Sequence, residues 1–154
     1  MSESHARSSQ SSRVRELIKG SGLRCTPARQ AVLGFLSRTG RPLAHSEIAK
    51  ARGPAKLDRV TLYRTLAVLE DSGLVHRVQD SDGSWRFCAH VPVKKGCPGN
   101  HAHFQCTRCG EMQCLASQAL PWIPVPDGAL VIGKQFLICG LCPSCAATRA
   151  ARKK

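Results

Sequence analysis

Two cysteine pairs carry the clearest chemistry in this chain. Cys106-Thr107-Arg108-Cys109 is followed by Gly110, and Cys142-Pro143-Ser144-Cys145 comes after a gap of 32 residues. Each CxxC turn aims two sulfurs at one point, and two such turns make the tetrahedral tetrathiolate that Zn²⁺ takes in structural sites. The bland alternative is four reduced bystander thiols. Cys139-Gly140-Leu141-Cys142 overlaps the second pair and offers another pairing. A second constellation mixes nitrogen and sulfur. His101 and His103 are spaced i and i+2, so on a strand both imidazoles face the same side. Alone, such a pair is more often a surface feature than a ligand set. His76, Cys88 and Cys114 strengthen it, and nitrogen with thiolate donors favours Zn²⁺ over Fe²⁺ or Mn²⁺.

These residues need elements to position them. Thr26-Pro27 is an N-cap followed by proline at the first helical position, and Ala28, Val32 and Leu36 repeat at i, i+4, i+8, which predicts a helix to about Arg38. A second short helix is expected from His45 to Ala51 after Gly40-Arg41-Pro42, ended by Gly53-Pro54. A third should begin near Asp58, with Leu62, Leu66 and Leu69 on one face and Arg64, Ala67 and Asp71 on the other. Gly73 stops it. Leu74 to Val78 and Ser84 to Cys88 then read as strands joined by Asp80-Ser81-Asp82-Gly83.

Three helices and a hairpin make a winged helix-turn-helix. The fold class expected is α+β, with a small α/β dimerisation domain following that DNA-binding domain. Short strands around 103–105, 111–115 and Leu130 to Ile138, and a closing helix from Pro143 to Ala151, would build the second unit. The expected boundaries are a disordered N-terminus over 1–10, the winged helix over 11–89, a hinge loop over 90–100 and the zinc-binding unit over 101–154. Gly20-Ser21-Gly22 marks a break after a short basic helix.

The 154 residues carry a net charge of +13, which points to a polyanionic partner. Before Ala89 there are 15 basic and 8 acidic residues, and from there on 8 and 2, an excess of +7 against +6. Four thiolates around one Zn²⁺ carry a net −2, so a metal-loaded chain is more positive toward its N-terminus. That half is the better candidate for nucleic acid. Tyr63 and Arg64 lie off the leucine face of the third helix, with Arg59 and Lys56 at its entry, where they could meet a major groove. A solvated helix face is the ordinary fate of such charges. The first twenty residues are Ser- and Arg-rich without the apolar run of a secretory signal, so a reducing, cytoplasmic setting is expected, and every apolar stretch is too short to span a membrane.

Taken together, Gly22-Leu23-Arg24-Cys25-Thr26-Pro27-Ala28-Arg29, Val60-Thr61-Leu62-Tyr63-Arg64-Thr65-Leu66, Leu69-Glu70, Gly73-Leu74-Val75 and the two knuckles resemble the ferric uptake regulator family over about residues 13–146. Leu74-Val75-His76, Cys88 and Gly140-Leu141-Cys142 are most similar to its zinc uptake regulators. The resemblance implies a winged-helix domain hinged to a dimerisation domain, structural zinc on Cys106, Cys109, Cys142 and Cys145, and a regulatory site holding His76 and Cys88. His101 and His103 complete that site in one branch. Another branch has one histidine and a carboxylate where this chain has Cys114, the alternative ligand.

The Val91–Asn100 loop is longer than usual and adds Cys97 as a competitor. Asn100 and Ala102 stand where relatives with a third metal site have histidines, so two zinc ions per chain are expected. The candidate DNA contacts are Tyr63, Arg64, Arg59, Thr61, Lys56 and Arg24. The function implied is a homodimeric repressor that binds a palindromic operator when zinc is plentiful and shuts off zinc-uptake genes. Rival readings are an iron, peroxide or nickel sensor of the same family and, in another class, a dithiol oxidoreductase using Cys142 and Cys145 at a helix N-terminus. The oxidoreductase reading requires a βαβ unit before the motif, where the sequence reads as helices.

Overall fold

The computed structural model describes residues 3–89, 101–121, 123–131 and 134–151. The expected hinge loop over 90–100, with Cys97, lies outside the described residues. Helix α1 spans Glu3–Gly20 and α2 spans Pro27–Thr39. Thr26 Oγ1 accepts from Arg29 N at 3.4 Å, and Gly40, at φ 64°, closes the C-terminus by donating to Leu36 O at 3.0 Å. Strand β1 (Leu43–Ala44) leads into α3 (His45–Ala49), where Glu47 Oε2 accepts from Ala44 N at 2.8 Å. A 3-10 turn at Pro54–Lys56 precedes α4 (Arg59–Asp71), capped by Asp58 accepting from Thr61 N at 2.9 Å. Strands β2 (Val75–Gln79) and β3 (Trp85–Ala89) form the wing, and β1 pairs with β3 on its other edge.

One apolar cluster holds this first unit together. Val32, Leu33 and Leu36 of α2 meet Leu62, Leu66 and Leu69 of α4, with Ile48, Leu43, Val75 and Phe87 closing the sides. The leucine face expected on α4 is buried, while Arg64, Ala67 and Asp71 are exposed. The N-terminus departs from expectation. Composition predicts disorder over 1–10, whereas helix runs from Glu3, and Val14 and Ile18 of α1 are buried in the same cluster. Their i, i+4 spacing places both on one face against α2, and the Ser/Arg-rich composition around them hides that stripe.

The second unit is a three-stranded sheet ordered β5-β4-β6, from β4 (His101–Cys106), β5 (Met112–Ala119) and β6 (Leu137–Gly140), closed by α5 (Pro143–Ala151). β4 runs antiparallel to β5 and parallel to β6. Among the described residues, the strand expected over Leu130 to Ile138 is found only at its end, from Leu137. Pro126 to Ala129 makes a turn, and Leu130, Val131 and Phe136 stay exposed, so their apolar pattern marks surface and not a ladder.

Candidate metal centres

The first centre lies wholly within the second unit. Cys106 ends β4, and the turn to Cys109 closes with Gly110 N donating to Cys106 O at 2.9 Å; Gly110 sits at φ 73°, a conformation glycine takes without strain. Cys142 and Cys145 flank the start of α5, and β4 pairs with β6 so that Cys106 lies opposite Gly140, two residues before Cys142. The ligand sulfurs of all four cysteines fall within 4.8 Å of one another, and Cys109 Sγ to Cys142 Sγ is 3.8 Å. A tetrahedral ion with Zn–S of about 2.3 Å has S···S edges of about 3.8 Å.

Backbone N–H groups, first that of Cys109 and then that of Cys142, hold the Cys106 thiol down to about 6, with Cys142 N 3.3 Å from the sulfur. The sulfur of Cys142 beside it pushes Cys145 up to about 12. Sulfurs this crowded cannot all ionise without a cation between them. Cys139, the alternative partner, is exposed on β6 and stands outside the cluster.

The second centre joins the two units. His76 lies on β2 of the wing, and His101 and His103 lie on β4, where the i, i+2 spacing brings their rings to 4.6 Å. His76 Nε2 faces His103 Nε2 at 3.3 Å, and a Zn–N distance of about 2.05 Å gives N···N edges of about 3.3 Å. His76, His101, His103 and Cys114 offer donor atoms all within 4.8 Å of one another. Cys88 is outside that set, yet its sulfur lies 3.4 Å from that of Cys114.

The register explains the meeting. His76 is paired across β2–β3 with Cys88, and His103 across β4–β5 with Cys114, so each register pair brings an imidazole and a thiol to the boundary, and the second sheet adds His101. Burial, and then the neighbouring His101, hold the His103 imidazole down to about 4, which leaves it neutral and able to donate a lone pair at ordinary pH.

Two glutamines unnoticed in the sequence strap the wing to the second sheet. Buried Gln105 accepts from Ser81 N at 2.8 Å. Gln135 accepts from Gln79 N at 2.8 Å and donates to Gln79 O at 2.6 Å. Their partners are backbone groups, which leave no residue pattern to find. Arg86, also unnoticed, braces the wing from the other side by pairing with Asp80 at 3.0 Å and with Glu47 of α3 at 3.1 Å.

The candidate DNA contacts sit on the first unit. Arg59, Tyr63 and Arg64 are exposed on α4, Lys56 is exposed at its entry and Arg24 is exposed before α2. Tyr63 stacks on His45 with ring centroids 3.7 Å apart. Thr61 is half-buried, and its hydroxyl proton is engaged by the capping Asp58.

The profile of the ferric uptake regulator family matches residues 20–121. The chain belongs to the ferric uptake regulator family. Among curated relatives in it, peroxide-responsive repressors PerR of Staphylococcus saprophyticus and Staphylococcus aureus are 32% and 31% identical over 97 residues, covering 62% of this chain and 61% of theirs. The match thus spans about three-fifths of the length of those relatives.

Solved structures of the family share the fold. A zinc uptake regulator complexed with zinc and DNA has a TM-score of 0.66 at 20% identity, covering 93% of this chain and 97% of its own. Holo XcZur has 0.62 at 24%, covering 90% and 98%. The Helicobacter pylori ferric uptake regulator Fur has 0.58 at 22%, covering 90% and 93%. Among the described residues no helix is long and apolar enough to cross a membrane.

Proposed function

We propose that this chain is a zinc-responsive transcriptional repressor, which binds palindromic operator DNA as a homodimer when zinc occupies the centre between the units and thereby represses zinc-uptake genes. The observation that carries the reading is the 3.3 Å approach of His76 and His103 from two different sheets, with the Cys114 thiol in reach. His76, His101, His103 and Cys114 would hold the regulatory ion, and Cys88 stands beside them. Cys106, Cys109, Cys142 and Cys145 would hold the structural one. Zinc supplies a fourfold crosslink without redox chemistry of its own.

An ion shared by both sheets favours one placement of the wing and α4 relative to the rest of the chain. Its differential affinity for that placement is the coupling to DNA. A coupling of about 1.4 kcal/mol already changes operator affinity tenfold. The exposed Ile123, Val125, Leu130, Val131, Phe136 and Ile138 are apolar surface of the kind a second copy would cover. A cytoplasmic location fits this role.

A peroxide-sensing repressor is the second reading, favoured by the likeness to peroxide-responsive relatives. A thiol among the hinge donors weighs against it, since soft sulfur favours zinc over ferrous iron. The dithiol oxidoreductase reading is weaker, because Cys142 and Cys145 share their cluster with two further sulfurs. The test is metal analysis of the purified protein joined to operator selection and binding with and without chelator. Two zinc ions per chain, one removable together with DNA affinity, are expected; tight binding restored by Fe²⁺ or Mn²⁺ but not Zn²⁺ would overturn the assignment. Arg64→Ala should cost about 1–3 kcal/mol of operator affinity at unchanged fold, as for an arginine contacting guanine in a major groove. Unchanged affinity would remove α4 as the reader.

A further inference from the structure

The proposed regulatory site needs one thiolate, and the structure holds two there. Cys88 Sγ and Cys114 Sγ are 3.4 Å apart, one from each sheet. Four donors with Cys114 as the only sulfur already lie mutually within 4.8 Å, so a tetrahedral ion on that set leaves Cys88 an uncoordinated thiol against a coordinated one. The knuckle differs, because there all four sulfurs belong to the ligand set and none is spare. A disulfide bond is about 2.05 Å long, so the hinge sulfurs need to close by little more than 1 Å. Cys88 is 4% exposed, whereas Cys114 is half-buried and gives a small oxidant a way in.

We propose that Cys88 and Cys114 are a reversible disulfide site, and that its closure removes the hinge thiolate from the metal. The metal part rests on the regulatory reading above; the disulfide itself does not.

The oxidant is a hydroperoxide, with hydrogen peroxide as the simplest case. One thiolate attacks the peroxide oxygen, giving a sulfenic acid and hydroxide, which takes up a proton to become water. The second sulfur then attacks the sulfenic sulfur, the S–S bond forms, and hydroxide leaves with that thiol's proton as a second water. Two thiols lose two electrons and one peroxide gains them. Zinc held there would keep its oxidation state and, with the thiolate gone, would be bound more weakly by the three imidazoles alone and so yield to a competing chelator. A small dithiol reverses the bond by exchange. Oxidation therefore reports to DNA through the same contact between wing and second sheet that zinc uses.

The experiment treats the full-length protein with hydrogen peroxide, once as isolated and once after mild EDTA treatment. Free thiols are then alkylated, peptides mapped without reduction, and released zinc followed with a metallochromic dye. The expected result is a peptide pair linked through Cys88 and Cys114, one zinc released from protein that held two, and recovery of both after dithiothreitol and zinc. Cys88→Ser should abolish the linked pair while Cys25→Ser leaves it intact. The proposal is overturned if Cys88 and Cys114 stay alkylatable while knuckle cysteines oxidise, or if either joins Cys97 instead. Should the linked pair form in protein that never held more than one zinc, the disulfide stands and the regulatory-zinc reading falls. Two bound zinc ions without the linkage would overturn the disulfide and leave the regulatory-zinc reading standing.

Discussion

The two clusters of this molecule are built from similar donors, but they tie together different things. The four knuckle sulfurs come from one unit, at the end of β4 and the start of α5. The hinge donors come from two, His76 from the wing and His101, His103 and Cys114 from the second sheet. A crosslink inside one unit stabilises that unit's fold; a crosslink between units selects their arrangement. Among the described residues, the buried apolar side chains of the second unit are Ala102, Cys106, Met112 and Cys142, two of which are themselves knuckle ligands, whereas thirteen residues form the cluster of the first. The unit with the poorer core carries the internal crosslink.

The largest effect should therefore come from the knuckle. Binding of a structural zinc is worth about 10–16 kcal/mol in isolated fingers, comparable with the whole stability of a domain, about 5–15 kcal/mol. Cys109→Ser or Cys145→Ser is expected to lose one zinc and leave the second unit unfolded, seen as aggregation and loss of the dimer in sedimentation. A soluble dimer with full zinc content would remove the knuckle from its structural role. Next in size is His76→Ala, which should retain the knuckle zinc and the dimer, lose the second zinc, and lose zinc-dependent operator binding. If His76→Ala instead aggregates like Cys109→Ser, the two clusters do not divide the labour as described.

The same contrast governs what the sequence reveals. Each knuckle half is a local CxxC turn, so its chemistry is written within four residues, and the pairing of β4 with β6 only has to bring two ready-made halves together. The hinge is legible in part. His101 and His103 show themselves by their spacing, but the 3.3 Å contact to His76 depends on the docking of the wing onto another sheet, which no periodicity encodes. Which of Cys88 and Cys114 lies in the mutual set depends on the same docking. In the first unit the leucine spacing and caps of α4 set its face and limits to within a residue. Val14 and Ile18, with Leu17 beside them, escape because three apolar residues at the end of a Ser/Arg-rich stretch make a weak stripe.

Acid should also separate the clusters. The His103 imidazole is held down to about 4 in the folded chain by burial and then by His101, while an unfolded histidine titrates near 6.5. Between those values the unfolded chain binds the extra proton, so His103 favours the fold fully above about 6.5 and progressively less as pH falls toward 4. Protein stripped of the hinge metal should accordingly lose stability from pH 6.5 to 4 in urea titrations, and His103→Gln should flatten that slope. An unchanged slope in the variant would place the acid sensitivity elsewhere.

The smallest effect expected tests whether the glutamine straps belong to the hinge or only decorate it. Gln135 makes two bonds to the backbone of Gln79, both at the surface, so water replaces much of what Gln135→Ala removes. Exposed hydrogen bonds contribute toward the low end of about 0.5–1.5 kcal/mol each, so the pair should be worth about 1 kcal/mol, or roughly fivefold in an equilibrium constant. That energy supports the docking of wing to second sheet, the same arrangement that a hinge ion requires. Gln135→Ala should therefore weaken zinc at the hinge severalfold in competition with a chelating dye, while the knuckle zinc and thermal unfolding of the second unit stay as in the parent. The sign is fixed by linkage: loosening the docked arrangement lowers the apparent affinity of any ligand that needs it, in proportion to the fraction of molecules left docked. Equal loss at both centres would mean that the strap supports the second unit's fold. No loss at the hinge would mean that the wing is held there by Gln105 and the histidines without help from Gln135.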